Sequence, residues 1–154
     1  MIRNARINDI KAIYNLLNHF AEEGQLLGRS LSSLYDHLRD FQVYEDKNSK
    51  EILGVCALHI CWENLAEIRS LAVNNKTQAR GIGTALVTSC IGEADLFGIT
   101  EIFTLTYQPS FFARLGFHLI DKKELPHKVW SDCLNCPKFP DCNEEAMIWR
   151  KEEA

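Results

Sequence analysis

Apolar positions recur at intervals of three and four residues in several stretches of the chain, and each such stretch predicts an amphipathic helix. The first helix would follow a cap at Asn8 or Asp9 and would bury Ile10, Ile13, Leu16, Leu17 and Phe20. A second helix would begin after Ser30, and a third would run over residues 84–97 and end at Gly98. A short helix is expected over residues 110–115.

The remaining apolar runs have the composition and spacing of strands. They cover residues 2–6, 41–45, 52–60, 66–73, 101–106, 117–120 and 146–149. The uninterrupted run of strands in the middle favours a mixed, largely antiparallel twisted sheet of six to seven strands, flanked by about four helices. We therefore expect an α/β (α+β) fold, in a single domain over residues 1–154.

Composition and charge narrow the classes of partner. Hydrophobic residues make up 46% and charged residues 25% of the chain, as in soluble globular proteins. The net charge of −4 argues against a nucleic-acid-binding surface, which needs a basic face. No apolar run approaches the roughly 18 residues of a membrane span, and the N-terminus lacks the apolar stretch of a signal peptide. We expect a cytoplasmic protein with no membrane partner.

The sharpest chemical signal is a loop between a predicted strand and the third helix, with the sequence Gln78-Ala79-Arg80-Gly81-Ile82-Gly83-Thr84. Backbone N–H groups and the positive end of the helix dipole would face an anion there. The two glycines would let a phosphate approach the backbone, and Arg80 could add charge-assisted hydrogen bonds. A packed strand–loop–helix turn is the plainer alternative. The spacing does not match a P-loop or a dinucleotide fingerprint.

This loop satisfies the pattern [QR]-x-x-G-x-[GA], and the chain therefore resembles the GNAT superfamily of acetyl-CoA-dependent N-acetyltransferases. A second segment, Phe112-Ala113-Arg114-Leu115-Gly116-Phe117, is similar to the family's aromatic-x-x-x-Gly-Phe segment. The resemblance implies a GNAT-like fold with acetyl-CoA as cosubstrate. The pyrophosphate would lie over the amides of residues 78–84, and the pantetheine arm along Leu71, Ala72 and Val73 and beside Phe111 and Phe112.

Two residues are candidates for proton transfer. In several members of the family a glutamate on the strand before the loop acts, directly or through water, as general base, and Glu67 is at that position. Strand alternation would place Arg69, Leu71 and Val73 on its face. Phe112 stands where many members have the tyrosine that protonates the thiolate, so Tyr107 is a substitute candidate. The alternatives are a solvated Glu67, a packing role for Tyr107, and protonation by water.

The acceptor is suggested by Gly24-Gln25-Leu26-Leu27-Gly28-Arg29-Ser30, which resembles a segment of N-acetylglutamate synthases. That resemblance implies acetylation of L-glutamate, the first step of arginine biosynthesis, by a short, stand-alone synthase. Arg29, with Arg69 and Lys128, would bind the two carboxylates. The open alternatives are another small amine, a protein N-terminus, and a non-catalytic acetyl-CoA-binding module; a homodimer is also left open.

Six cysteines remain to be explained. Cys56, Cys61 and Cys90 lie in apolar runs and are expected to be buried thiols. A loop at about residues 127–142 contains the other three, and Cys133, Cys136 and Cys142 with His127 could hold a structural zinc. Free thiols or a disulfide formed during purification are the alternatives.

Overall fold

The computed structural model describes residues 1–23, 28–126 and 144–152, apart from the side chains of residues 78 and 79. The predicted metal ligands His127, Cys133, Cys136 and Cys142 lie outside these residues, as does Lys128. The described strands are β1 Ile2–Asn4, β2 Phe41–Glu45, β3 Ile52–Trp62, β4 Leu65–Val73, β5 Glu101–Thr106, β6 His118–Leu119 and β7 Glu145–Arg150. The described α-helices are α1 Ile10–Glu22, α2 Leu31–Asp36, α3 Ile82–Leu96 and α4 Pro109–Ala113.

The strands form one sheet in the order β1-β2-β3-β4-β5-β7-β6. The pair β4–β5 is parallel, and the other neighbouring pairs are antiparallel. The expected mixed, largely antiparallel sheet with helices on its faces is confirmed.

Each face of the sheet is covered because a helix presents an apolar stripe to it. Helix α1 buries Ile10, Ile13 and Leu17 against Val43 and Val55, and Leu34 of α2 joins this cluster. Helix α3 covers the opposite face, where its buried residues Leu86, Val87 and Cys90 meet Cys56 and Ile68. Cys56, Cys61 and Cys90 are free, buried thiols, as expected.

Several element ends differ from the sequence-based expectation. Helix α3 begins at Ile82, two residues earlier than predicted, and β6 has only two residues. Strand β1 ends at Asn4. Ser30 caps α2 as predicted, because its side chain accepts a hydrogen bond from the amide of Ser33. Asp9 makes no such cap with α1; its carboxylate instead bonds Arg3 and the amide of Arg6.

A bulge in β4 corrects the predicted face of the strand. Val55 is opposite Ala72 but Ala57 is opposite Arg69, so β4 has one extra residue there, and Ser70 has a left-handed φ of 56°. An extra residue reverses the alternation of the side chains beyond it. Leu71 and Val73 therefore pack in the cluster beneath α3 rather than on the face of Glu67 and Arg69.

Candidate active site

The site begins where β4 and β5 separate. Their parallel register covers three pairs and ends at Glu67 opposite Phe103, and no further β4–β5 pair occurs in the described part of the sheet. Just beyond, the side chain hydroxyl of Thr104 donates a hydrogen bond to the carbonyl of Ile68 at 2.8 Å. Past this link the edge of β4 faces a gap in the sheet. Its backbone can pair there with an extended ligand arm.

We call the space between the diverging ends of β4 and β5 the fork. A cavity of about 510 Å³ occupies it. Its lining combines both strands with the start of α3 and with α4. The lining residues are Phe20, Ile68, Arg69, Ser70, Leu71, Ala72, Val73, Asn75, Gly81, Gly83, Thr84, Thr104, Leu105, Thr106, Tyr107, Gln108, Phe111, Phe112, Arg114 and Glu144.

The N-terminus of α3 opens into the cavity. A 3-10 helix, Asn75–Arg80, follows β4 and ends at Gly81, whose φ of 75° puts it in the left-handed region. The first backbone bond of α3 runs from the amide of Ala85 to the carbonyl of Gly81. The amides of residues 82–84 thus belong to the first turn, where the helix offers no internal acceptor. Together with the helix dipole they form an anion site.

Small residues keep this entrance open. A Cβ on Gly83 would lie 3.4 Å from Cζ of Phe111, so a side chain there would narrow the space between the helix start and α4. The side chain of Ile82 points away into the core and is 2% exposed. Only its backbone can take part in binding. Arg80 is exposed beside the loop and does not line the cavity.

One wall of the cavity is aromatic. The rings of Phe111 and Phe112 stack edge to face at 5.0 Å, and those of Phe112 and Phe117 at 5.2 Å. Phe112 is buried and fixed by its two neighbours. Because Phe112 stands where many family members have a tyrosine, this wall is apolar. Tyr107, which directly follows β5, also lines the cavity.

The opposite side of the fork carries charge. Nη1 of Arg69 lies 3.7 Å from Oε1 of Glu67, and the two side chains are 12% and 13% exposed. Arg69 lines the cavity, whereas Glu67 stands next to it. This pair places a shielded cation and a carboxylate side by side at the end of the cavity.

Arg29 lies in the connection between α1 and α2. A Cβ on Gly28 would lie 3.0 Å from Oδ1 of Asn18 and 3.2 Å from Cβ of Ala21. This close contact holds the segment against the second half of α1. Arg29 is half-buried and is not among the residues that line the cavity.

Several lining residues were not predicted from the sequence. Phe20 was recognised only as part of the apolar face of α1, and Arg114 only as part of a motif. The others are Ile68, Ser70, Asn75, Thr104, Leu105, Thr106, Gln108 and Glu144. Nothing local marks them, because the fork brings them together from separate elements.

The fork, the aromatic wall and the helix N-terminus define a site for an extended molecule with a phosphate group at one end. The model of the Acetyltransferase (GNAT) family matches residues 10–118. The chain belongs to this family.

Similar proteins and a solved structure agree with this assignment. An uncharacterized N-acetyltransferase from Chlorobaculum tepidum is 41% identical over 96% of this chain and 94% of its own length. An amino-acid acetyltransferase from Mycobacterium tuberculosis is 33% identical over 86% of this chain and 76% of its own length. The crystal structure of N-acetylglutamate synthase from Neisseria gonorrhoeae, complexed with coenzyme A and N-acetyl-glutamate, superposes with a TM-score of 0.89 at 30% identity. That match covers 99% of this chain and 35% of the synthase.

The protein is therefore an acetyl-CoA-dependent N-acetyltransferase. Its own residues fit the cosubstrate: the first-turn amides suit a pyrophosphate, the open edge of β4 suits an amide-bearing arm, and Gly83 leaves room beside Phe111. In the described residues no helix is long and apolar enough to cross a membrane.

Proposed function

We propose that this acetyltransferase acetylates the α-amine of L-glutamate. Support comes from the Neisseria gonorrhoeae synthase, whose complex contains N-acetyl-glutamate, and from the Mycobacterium tuberculosis amino-acid acetyltransferase. Both resemble this chain over most of its length. Acetylation of glutamate would place the protein at the first step of arginine biosynthesis.

The observation that carries the proposal is the position of Arg69. Its guanidinium lines the cavity at 12% exposure, next to the carboxylate of Glu67. Glutamate has two carboxylates beside its amine, so its pocket needs cations close to the group that removes the amine proton. A neutral amine or a polyamine would gain nothing from an arginine at this point.

Arg29 and Lys128 are proposed as the additional cations. Arg29 follows Gly28, which packs against α1, and α1 is the helix that contributes Phe20 to the cavity. Two arginines on different elements would bind separate carboxylates. This arrangement would favour a dicarboxylic amino acid over a monocarboxylic one.

The chemistry follows from the same residues. Acetyl-CoA supplies the acetyl group as a reactive thioester when bound. The backbone of residues 78–84 and of Leu71 and Val73 would hold and orient it. Glu67, directly or through a water molecule, would take the proton from the ammonium group of the acceptor, and Tyr107 would supply the proton needed by the leaving thiolate.

Coenzyme A release with glutamate as acceptor tests the proposal. Arg29→Ala should raise the KM for glutamate about 10- to 100-fold, the loss expected for one charge-assisted contact. The KM for acetyl-CoA should stay within about twofold, because Arg29 is not part of the helix N-terminus at which the pyrophosphate is proposed to bind. Arg39→Ala is the matched control. Arg39 is an exposed arginine ten residues further along the chain, in the 3-10 helix that comes directly before β2.

Other outcomes would redirect the assignment. Turnover with a polyamine or a peptide N-terminus, but none with glutamate, would contradict glutamate as the acceptor. Acetyl-CoA binding without thiol release for any amine would point to a binding module.

A further inference from the structure

The inference concerns how a proton leaves the site, and it rests on the proposed role of Glu67. Acetyl transfer from a thioester to an ammonium group converts R–NH3⁺ and CH3CO–S–R′ into R–NH–COCH3, HS–R′ and one proton. Of the two protons lost by nitrogen, one ends on the thiol. The other must reach solvent in every cycle. A base with a side chain only 13% exposed needs a route for it.

A histidine–aspartate pair stands next to Glu67. In the register of β3 and β4, His59 is directly opposite Glu67. Side chains at such positions point to the same face of the sheet with Cβ atoms about 4.5–5.5 Å apart. Nδ1 of His59 is 2.7 Å from Oδ2 of Asp40. Because a carboxylate accepts, Nδ1 carries the proton in this contact, and Nε2 of the neutral ring is the acceptor nitrogen.

The pair is also partly open to water. The side chains of His59 and Asp40 are 29% and 24% exposed, about twice the exposure of Glu67. A path from Glu67 to His59 thus runs from a shielded position toward solvent. Imidazole is the side chain that gains and loses protons most readily near neutral pH.

The charged and titratable groups around His59 come from three elements. Glu67 and Arg69 belong to β4, where Arg69 is opposite Ala57 and therefore on the same face. Asp40 ends the 3-10 helix before β2, and the ring of His37 meets the ring of His59 edge to face at 5.5 Å. His37 is held by its own Nδ1, which donates to the carbonyl of Ser33 at 2.9 Å.

We propose that His59, oriented by Asp40, carries the surplus proton from Glu67 to solvent. The carboxylate of Glu67 takes the proton from the acceptor's ammonium group and passes it to Nε2 of His59. The resulting imidazolium is stabilised by Asp40 and releases the proton to water. Each group then returns to its starting state, and no bond other than those to hydrogen changes. His59 and Asp40 are positioning and relay residues that do not contact the acetyl group.

A purely structural pair would behave differently. Asp40 and His59 also join the connection before β2 to β3, so their removal could loosen the sheet. Loosening would alter the KM values and the thermal stability, and it would not respond to small bases in solution. A relay defect would lower kcat alone and would be relieved by a buffer base that enters from solvent.

The test compares His59→Gln, His59→Ala and Asp40→Asn with the control His118→Gln, a substitution at an exposed histidine on β6. Each protein is assayed with glutamate, other amino acids and a polyamine. Both His59 variants should lose about fivefold or more in kcat, with KM values within about twofold, and Asp40→Asn somewhat less. Added imidazole at constant ionic strength should restore His59→Ala more than wild type. Unchanged kcat, or a loss that imidazole does not relieve, would overturn the relay.

The outcomes separate the two proposals. Wild-type turnover with another amine but not with glutamate would refute the acceptor, and the relay would then be judged on that amine. A second readout needs no turnover: in ¹⁵N NMR of the histidine rings, Glu67→Gln should shift the Nε2 signal of His59 and leave that of His118 unchanged. An unaltered Nε2 signal of His59 would refute the relay even if glutamate is the substrate.

Discussion

At the scale of single residues, the site depends on a few backbone conformations. The left-handed φ of Ser70 ends the face shared by Glu67 and Arg69, so that Leu71 turns toward α3 while Arg69 stays at the charged end of the cavity. The left-handed φ of Gly81 turns the chain into α3. These two positions separate the charged end of the cavity from the phosphate end.

The residue whose chemistry is most directly testable is Tyr107. If it supplies the proton for the thiolate, Tyr107→Phe should lower kcat about 10-fold or more, within the range for one positioned acid. The KM for acetyl-CoA should change little, because the ring is retained. Tyr35→Phe is the control, since Tyr35 is 45% exposed on α2. Equal kcat values for the two variants would assign protonation to water.

At the scale of elements, the phosphate end of the cavity is positioned by the contact of α3 with β3. Gly54 of β3 lies under the first turns of the helix, and a Cβ there would come within 2.9 Å of Cγ2 of Ile82 and 3.0 Å of Cδ1 of Leu86. The branched methyl of Ile82 cannot move without a change of rotamer. The glycine therefore sets how closely the helix N-terminus approaches the sheet.

We expect Gly54→Ala to destabilise the protein by about 1–3 kcal/mol through overpacking. It should also weaken acetyl-CoA binding, because the amides of residues 82–84 move away from the cavity. The matched control is Gly92→Ala, a substitution within α3 itself. A Cβ at this position meets no atom within 4 Å. That change should stabilise α3 by about 0.5–1 kcal/mol. Chemical denaturation and calorimetric titration with acetyl-CoA measure both effects, and unaltered acetyl-CoA affinity in Gly54→Ala would contradict the positional argument.

At the scale of the whole molecule, an ion cluster joins the N-terminal strand to the sheet. The guanidinium of Arg3 binds Asp9 at 2.7 Å and Glu45 at 2.8 Å, and all three side chains are largely buried. The pKa of Asp9 is held below its ordinary value mainly by the hydrogen bond from Arg3. The hydrogen bond from the amide of Arg6 makes a smaller contribution in the same direction. The cluster anchors β1 and the start of α1 to β2.

This cluster predicts a loss of stability in acid. The pKa of Asp9 is lower in the folded than in the unfolded protein, where it is about 3.9. The ionised carboxylate therefore stabilises the fold fully above the unfolded-state pKa, and this stabilisation is lost as the pH falls through the folded-state pKa. Asp9→Asn should reduce the free energy of unfolding by about 1–3 kcal/mol at pH 7. The difference from wild type should shrink below about pH 4.

The control is Asp95→Asn, which removes an exposed ion pair with Lys151. Such pairs contribute about 0–1 kcal/mol, so this variant should follow the wild-type curve. Urea denaturation across pH 2–7, an interval that brackets the ordinary carboxyl pKa values, measures both proteins. A constant difference between Asp9→Asn and wild type over that interval would contradict the linkage.

The sequence by itself predicted most of the elements and the position of the glycine loop before α3. The apolar repeat of α1, the cap at Ser30 and the run of strands are local patterns, because side-chain periodicity follows backbone geometry within a few residues. The loop at residues 78–84 was identifiable for the same reason: its glycines, its arginine and the following helix are adjacent in the chain. What the sequence predicts for residues 24–27 and 127–142 lies outside the described part of the chain and stays a prediction.

The tertiary structure alone decided what surrounds that loop. The bulge at Ser70 reversed the predicted face of Leu71 and Val73, and the fork after Glu67 and Phe103 brought Phe20, Thr104 and Arg114 to one cavity. The pairing of His59 with Glu67 and its contact with Asp40 likewise depend on strand register. The register of the β3–β4 hairpin follows from its turn and its hydrophobic pattern. The bulge, the end of the β4–β5 pairing and the contact with Asp40 depend on packing and hydrogen bonding between segments, which the pattern of one strand does not specify.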